Sequence, residues 1–87
     1  MHMYSIKYSK QANKTKNKMP QGIAQRIETE LDTIAINPIT YQGDWKPLQR
    51  SPFWRLRVGS WRAICQIIDN ELIIYVLKIG SRGDVYK

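Results

Sequence analysis

Between residues 53 and 79 the chain leaves room for three β-strands and little else. Residues 53–58 (Phe-Trp-Arg-Leu-Arg-Val), 61–68 (Trp-Arg-Ala-Ile-Cys-Gln-Ile-Ile) and 72–79 (Leu-Ile-Ile-Tyr-Val-Leu-Lys-Ile) are rich in β-branched and aromatic side chains. The breaks between them fall at Gly59-Ser60 and Asp69-Asn70. Glycine first in a two-residue connection suits a type II′ turn, and Asp-Asn tolerates the positive φ of type I′, so the segment reads as two consecutive hairpins. Alternation puts Trp54, Leu56 and Val58 on one side of the first strand and Arg55 and Arg57 on the other. In the second strand Trp61, Ala63, Cys65 and Ile67 share a face, with Arg62, Ile64, Gln66 and Ile68 opposite. Pairing the apolar faces of this hairpin brings Arg62 to the side of Arg55 and Arg57. Three guanidiniums on one open face repel one another unless an anion occupies it. Residues 72–79 are apolar on both faces, so periodicity does not orient them, and they read as a central strand.

The first half of the chain supplies what covers the apolar side. Residues 4–8 alternate as a short strand, and Ser9 is an N-cap for a very polar helix over residues 10–18, which has only Ala12 and Met19 to bury. A second helix runs from about Pro20 to Ile36. There Ile23, Ile27, Leu31, Ile34 and Ala35 recur at three- and four-residue spacing. Asn37-Pro38 ends it, because the proline ring disfavours helical geometry at the residue before it. Residues 37–52 hold three of the four prolines and Gly43, and read as an irregular connection with room for a short extended piece at residues 45–49. The expected fold is α+β, with two N-terminal helices packed on one face of a largely antiparallel four-stranded sheet in the order β-α-α-β-β-β.

With 87 residues and 43% apolar content, the sequence supports one compact domain over residues 1–87. No stretch approaches the roughly 20 apolar residues of a membrane-spanning helix, and no apolar segment follows the polar N-terminus as a secretory leader would require. The single cysteine, Cys65, forms no internal disulfide; it lies in an apolar alternation, and the only histidine is His2. It reads as a buried core thiol in a protein of a reducing, cytoplasmic compartment. The net charge of +7 points to a polyanionic partner. Residues 46–87 carry eight basic against three acidic side chains, whereas residues 1–45 carry six against four, so the C-terminal half is the expected binding surface.

Two stretches carry a resemblance. Trp54-Arg55-Leu56-Arg57-Val58-Gly59-Ser60-Trp61-Arg62 and the closing run from Ile73 through Ile79-Gly80-Ser81-Arg82-Gly83-Asp84-Val85-Tyr86 closely resemble the RelE/ParE toxin superfamily. Met19-Pro20, Arg26-Ile27, Asn37-Pro38 and Pro47-Leu48 also sit where that family places such residues. The resemblance implies a toxin that cuts mRNA in the ribosomal decoding site without a cofactor or metal and is silenced by a cognate antitoxin. In such enzymes the ribose 2′-hydroxyl attacks the neighbouring phosphorus. Carried over by position, Arg62 would hold the phosphate with its planar fork, Arg82 would stabilise or protonate the leaving group, and Tyr86 would stack on a base or orient the attacking hydroxyl. Arg57 would stabilise charge, with Arg55, Arg50, Lys46 and Lys78 as further residues for the RNA backbone.

The sequence departs from its relatives in ways that matter chemically. Arg55 and Arg57 stand where the best-known RelE-type member has lysines, and Ser81 where many relatives have a histidine. Arginine stays protonated and is a poor proton acceptor. Two other readings therefore stay open: a ParE-like toxin that inhibits DNA gyrase without nuclease residues, and an inactive RNA-binding relative. Trp45, Trp54 and Trp61 are candidates for stacking on bases, although strand phase favours core or antitoxin contact for Trp54 and Trp61. Lys10, Lys14, Lys16 and Lys18 read as a solvated helix face, with ribosomal RNA contact as the alternative.

Overall fold

The structure, a computed structural model, describes residues 3–81. Strand β1 (Ser5–Tyr8) leads into helices α1 (Lys10–Lys18) and α2 (Gln21–Ile36); β2 (Trp45–Pro47), β3 (Phe53–Val58), β4 (Trp61–Ile68) and β5 (Ile73–Ser81) follow. The sheet has five strands in the order β1-β5-β4-β3-β2, not the four expected. The additional strand is β2, three residues that pair antiparallel to β3 at the edge of the sheet. It lies within the short extended piece expected at residues 45–49; its Pro47 has no N–H to give a ladder, which an edge strand tolerates, and so short a piece carries no alternation to show that it joins the sheet. β1 lies parallel to β5; the remaining pairings are antiparallel.

Both helices cover one face. Ala12 and Met19 of α1 and the α2 stripe of Ala24, Ile27, Leu31, Ile34 and Ala35 are buried against Leu56, Val58, Ala63, Cys65, Ile74, Val76 and Ile79 of the sheet. Ile23, expected in that stripe, is only partly buried. α1 stops at Met19, whose extended backbone is what the following Pro20 requires, and Pro20 in turn caps α2. The Ser9 hydroxyl accepts the Ala12 N–H at 3.0 Å and donates to the Leu77 carbonyl at 2.6 Å, so one side chain both starts α1 and ties it to β5.

The two hairpin turns differ from each other. Val58 pairs with Trp61 across Gly59-Ser60, and Gly59 has φ +62, as a glycine-first turn requires. The expected two-residue type I′ turn at Asp69-Asn70 is not formed. A short 3-10 turn over Asp69–Glu71 carries the chain round, and the positive φ of 53 falls on Leu72. Contacts with β1 hold this longer loop: the Tyr4 hydroxyl donates to Asp69 at 2.6 Å, and the Ser5 N–H donates to the Leu72 carbonyl at 2.7 Å. The pattern of the hairpin alone contains nothing of β1.

Not all four lysines of α1 are solvated. The Lys16 ammonium sits 4.0 Å above the Tyr8 ring and 3.6 Å from Glu28, with a side chain only 17% exposed. Burial pushes the Tyr8 phenol up to about 12, and Glu28 and Asp32 add to the effect.

Replacing Ser9 with Ala removes a cap and a cross-element hydrogen bond and is expected to cost about 2 kcal/mol; urea titration checks it. At Leu72 the left-handed backbone strains a large side chain by about 1 kcal/mol. Leu72→Gly should therefore raise the thermal midpoint slightly and Leu72→Val should lower it.

Candidate nucleic-acid interface

Cross-strand partners in an antiparallel sheet project from the same face about 5 Å apart. The register pairs Lys46 with Arg55, Arg55 with Ile64 and Ile64 with Lys78, so these four residues form one row across β2, β3, β4 and β5. The next row pairs Arg57 with Arg62 and Arg62 with Gly80. Both rows lie on the face away from the helices. Lys46, Arg57 and Lys78 are exposed; Arg55 and Arg62 are half-buried, and Ile64 is buried between its neighbours.

Lys78 reaches this face only because β5 is irregular. Ile64 pairs with Lys78 but Cys65 pairs with Val76, which leaves Leu77 as an extra residue. A bulge of this kind shifts the alternation by one. Val76 and Ile79 thus both face the core, three residues apart, while Lys78 turns outward. The same bulge presents the Leu77 carbonyl to Ser9.

The cations are not all equally available. Arg55 is paired with the Asp44 carboxylate, at side-chain exposures of 17% and 39%, and its Nε is buried with no hydrogen-bond partner among the described residues. Arg57 donates from Nε to the Gly59 carbonyl at 3.2 Å, and Arg62 has interactions of its own. Arg50 stands at the tip of the β2–β3 connection with φ 58, exposed and outside both rows. Arg82 and Tyr86 lie outside the described residues.

The face also holds residues that the sequence pattern did not single out. Phe53 pairs with Gln66, Gln66 with Tyr75, and Tyr75 with Lys7, a third row with two half-buried aromatic rings beside the cations. Rings so placed offer π-faces on which bases stack. The tryptophans do not. Trp45 and Trp54 stack on each other on the core side, with centroids 5.1 Å apart and planes 19° apart, and Trp61 packs against the core. Phase with Arg55 and Arg57 would have found Phe53; nothing periodic marks Tyr75.

Asp44 is the other residue missed. Its carbonyl accepts the Arg57 N–H at 2.9 Å, which extends the β2–β3 pairing by one position and sets its carboxylate beside the arginine rows. The loop before it is pinned from two sides. Tyr41 donates to Glu30 of α2, and a Cβ at Gly43 would overlap the Tyr41 ring, so only glycine lets the backbone pass beneath it. Burial and that hydrogen bond push the Tyr41 phenol well above its ordinary range.

Elsewhere, Cys65 is fully buried and desolvation pushes its thiol up to about 12, which removes it as a nucleophile. A cleft of about 650 Å³ lies between Tyr4, Ile36, Pro38, Ile39, Ile67 and Asp69, and none of the cationic residues lines it. Among the described residues no helix is long and apolar enough to cross a membrane.

Comparisons with known proteins agree with this fold. Residues 6–86 match the family model of the ParE toxin of type II toxin–antitoxin systems. A RelE-like toxin protein of Escherichia coli is 29% identical over 85 residues, covering 95% of this chain and 90% of its own. Among solved structures, a mutant of the E. coli toxin RelE in the free state superposes with a TM-score of 0.81 at 18% identity, over 97% of this chain and 90% of that one. The archaeal RelE–RelB complex from Pyrococcus horikoshii gives 0.80 at 24% identity, over 94% and 98%. The RelBE2 toxin–antitoxin complex from Mycobacterium tuberculosis gives 0.76 at 23% identity, over 97% of each chain. A sheet of this topology with one face under two helices, matched along nearly its whole length, identifies the chain as a toxin of the RelE/ParE family of type II toxin–antitoxin systems.

Proposed function

We propose that this toxin is a ribosome-dependent endoribonuclease that cleaves mRNA through attack of a ribose 2′-hydroxyl on the adjacent phosphorus, and that a cognate antitoxin silences it in the cytoplasm. The observation that carries the reading is the one-sided pair of rows, Lys46-Arg55-Ile64-Lys78 and Arg57-Arg62. A face with so many fixed cations and two aromatic rings suits a bent, single-stranded ribose-phosphate chain. Solved relatives in complex with RelB support an antitoxin partner.

In this mechanism charge builds on the non-bridging phosphoryl oxygens as the 2′-oxygen closes on phosphorus. Preformed guanidiniums in a partly desolvated face stabilise that charge without reorganising. Arg62 holds the phosphate by two parallel N–H donors, and Arg57 stabilises the developing charge. Arg82 serves the departing 5′-oxygen and Tyr86 stacks on a base or orients the attacking hydroxyl. Lys46, Lys78 and Arg50 hold the flanking backbone, and Arg55, expected to share that task, contributes its charge from the floor of the face, where it is paired with Asp44. The products are a 2′,3′-cyclic phosphate and a 5′-hydroxyl end.

The family model bears the name of ParE, and that match favours a second reading in which the toxin inhibits DNA gyrase without cutting RNA. Inducing the protein in a translating extract, mapping mRNA 5′ ends and assaying gyrase supercoiling in parallel separates the two. The nuclease reading expects new 5′-hydroxyl ends on translated messages, with gyrase unaffected. Intact messages with inhibited supercoiling would select the other. Within the nuclease reading Arg62→Gln and Arg57→Gln should each lower single-turnover cleavage by about a hundredfold, whereas Lys46→Gln should act mainly on binding and lose its effect at high salt.

A further inference from the structure

Cleavage by 2′-oxygen attack needs a group that takes the proton, and the cationic rows supply none. Lysine ammonium and arginine guanidinium groups have donors and no acceptor at neutral pH. Among the described residues, a carboxylate beside those rows can take that proton, that of Asp44. Asp44 sits at the head of β2, its carbonyl bonded to the Arg57 N–H at 2.9 Å and its carboxylate held by Arg55. The carboxylate is 39% exposed, so solvent and substrate reach it, while its partner guanidinium is 17% exposed and fixed in the floor of the face.

We infer that Asp44 is the general base of this toxin, a deduction that rests on the ribonuclease reading above. In the step, the O2′–H bond breaks and the proton passes to the Asp44 carboxylate as O2′ bonds to phosphorus. The bond from phosphorus to the 5′-oxygen breaks, and that oxygen takes a proton from water. The hydroxide left behind is neutralised when Asp44 returns its proton to solvent, so the net change is transesterification alone.

The surroundings are built to keep the carboxylate in place. Arg55 orients it from β3, and the backbone of Arg57 fixes the residue itself. Gly43 passes under the Tyr41 ring, and Tyr41 is tied to Glu30 of α2, so the approach to Asp44 is anchored to the helical layer. Among the described residues, Arg55 pairs with it from β3, Arg57 and Lys46 lie on the same face by register, and Tyr41 of the preceding loop interacts with it electrostatically. A carboxylate among cations also relieves the self-repulsion of the face.

The test compares Asp44→Asn with the wild type on ribosomes programmed with a defined mRNA, with single-turnover rates across pH and RNA affinity measured separately. The amide keeps the shape and a hydrogen bond to Arg55 but is no longer a base. Cleavage is expected to fall about a hundredfold or more, with RNA affinity unchanged or higher because a negative charge is gone. The acid limb of the pH–rate profile should disappear, and Asp44→Glu should restore part of the rate. Cleavage by Asp44→Asn within threefold of wild type, with the acid limb intact, would overturn the assignment while leaving the ribonuclease reading in place. No cleavage by the wild type would overturn that reading and this one with it. If Asp44→Asn melts below the assay temperature because Arg55 is left without its counterion, the double variant Asp44→Asn/Arg55→Gln is compared with Arg55→Gln alone. The double is then expected to be at least tenfold slower, and equal rates would sink the idea.

Discussion

The pairing register of β3 with β4 is the constraint on which the rest depends. Gly59 allows a two-residue turn that seats Val58 against Trp61, and from that point every side chain of the hairpin has its face assigned. A slip by one residue would turn Arg55 and Arg57 into the helical layer and push Leu56 and Val58 into water. Burying an unpaired guanidinium costs on the order of several kcal/mol. The core thus enforces the cationic face: the apolar residues choose the register, and the arginines have nowhere else to go.

What surrounds the hairpin adjusts that face rather than creating it. The bulge at Leu77 changes the phase of β5 part-way along, so the strand buries Ile74, Val76 and Ile79 and still sends Lys78 outward. It also exposes the carbonyl on which Ser9 anchors the start of α1. At the opposite edge β2 contributes Lys46 to the cationic row and brings Asp44 into contact with Arg55. A purely basic face would spread under its own repulsion; one carboxylate lets the guanidiniums stay close. In the proposed function, recognition of a polyanion and a place for proton transfer both rest on this packing.

Much of this was legible in the residues. The limits of α1, the Ser9 cap, the stop at Asn37-Pro38, the buried thiol of Cys65 and the common face of Arg55, Arg57 and Arg62 follow from local rules of capping, proline geometry and alternation. What escaped depends on contacts distant in sequence. The extended piece at residues 45–49 was legible, but its pairing with β3 was not, and the turn at Asp69–Glu71 answers to contacts with β1 and Tyr4 across the sheet. Tyr75 and Lys78 are oriented by a bulge inside a strand apolar on both faces. Asp44 lies in the irregular connection over residues 37–52, where no pattern marks it, and only the pairing of β2 with β3 sets it beside the arginines. Trp54 and Trp61 pack on the core as strand phase favours, whereas Trp45, a candidate for base stacking, stacks on Trp54, and Phe53 and Tyr75 face outward.

As proposed, the open face grips an RNA backbone through charges set in place by the sheet. The salt dependence of binding to a short single-stranded RNA tests it most directly, because each phosphate contact contributes a slope of about −0.7 to log K against log salt concentration. A slope of about −2 to −3 is expected, for three or four phosphates, becoming shallower as Arg57 and Arg62 are neutralised. A slope near zero would contradict it, and so would a steep slope that both substitutions leave unchanged.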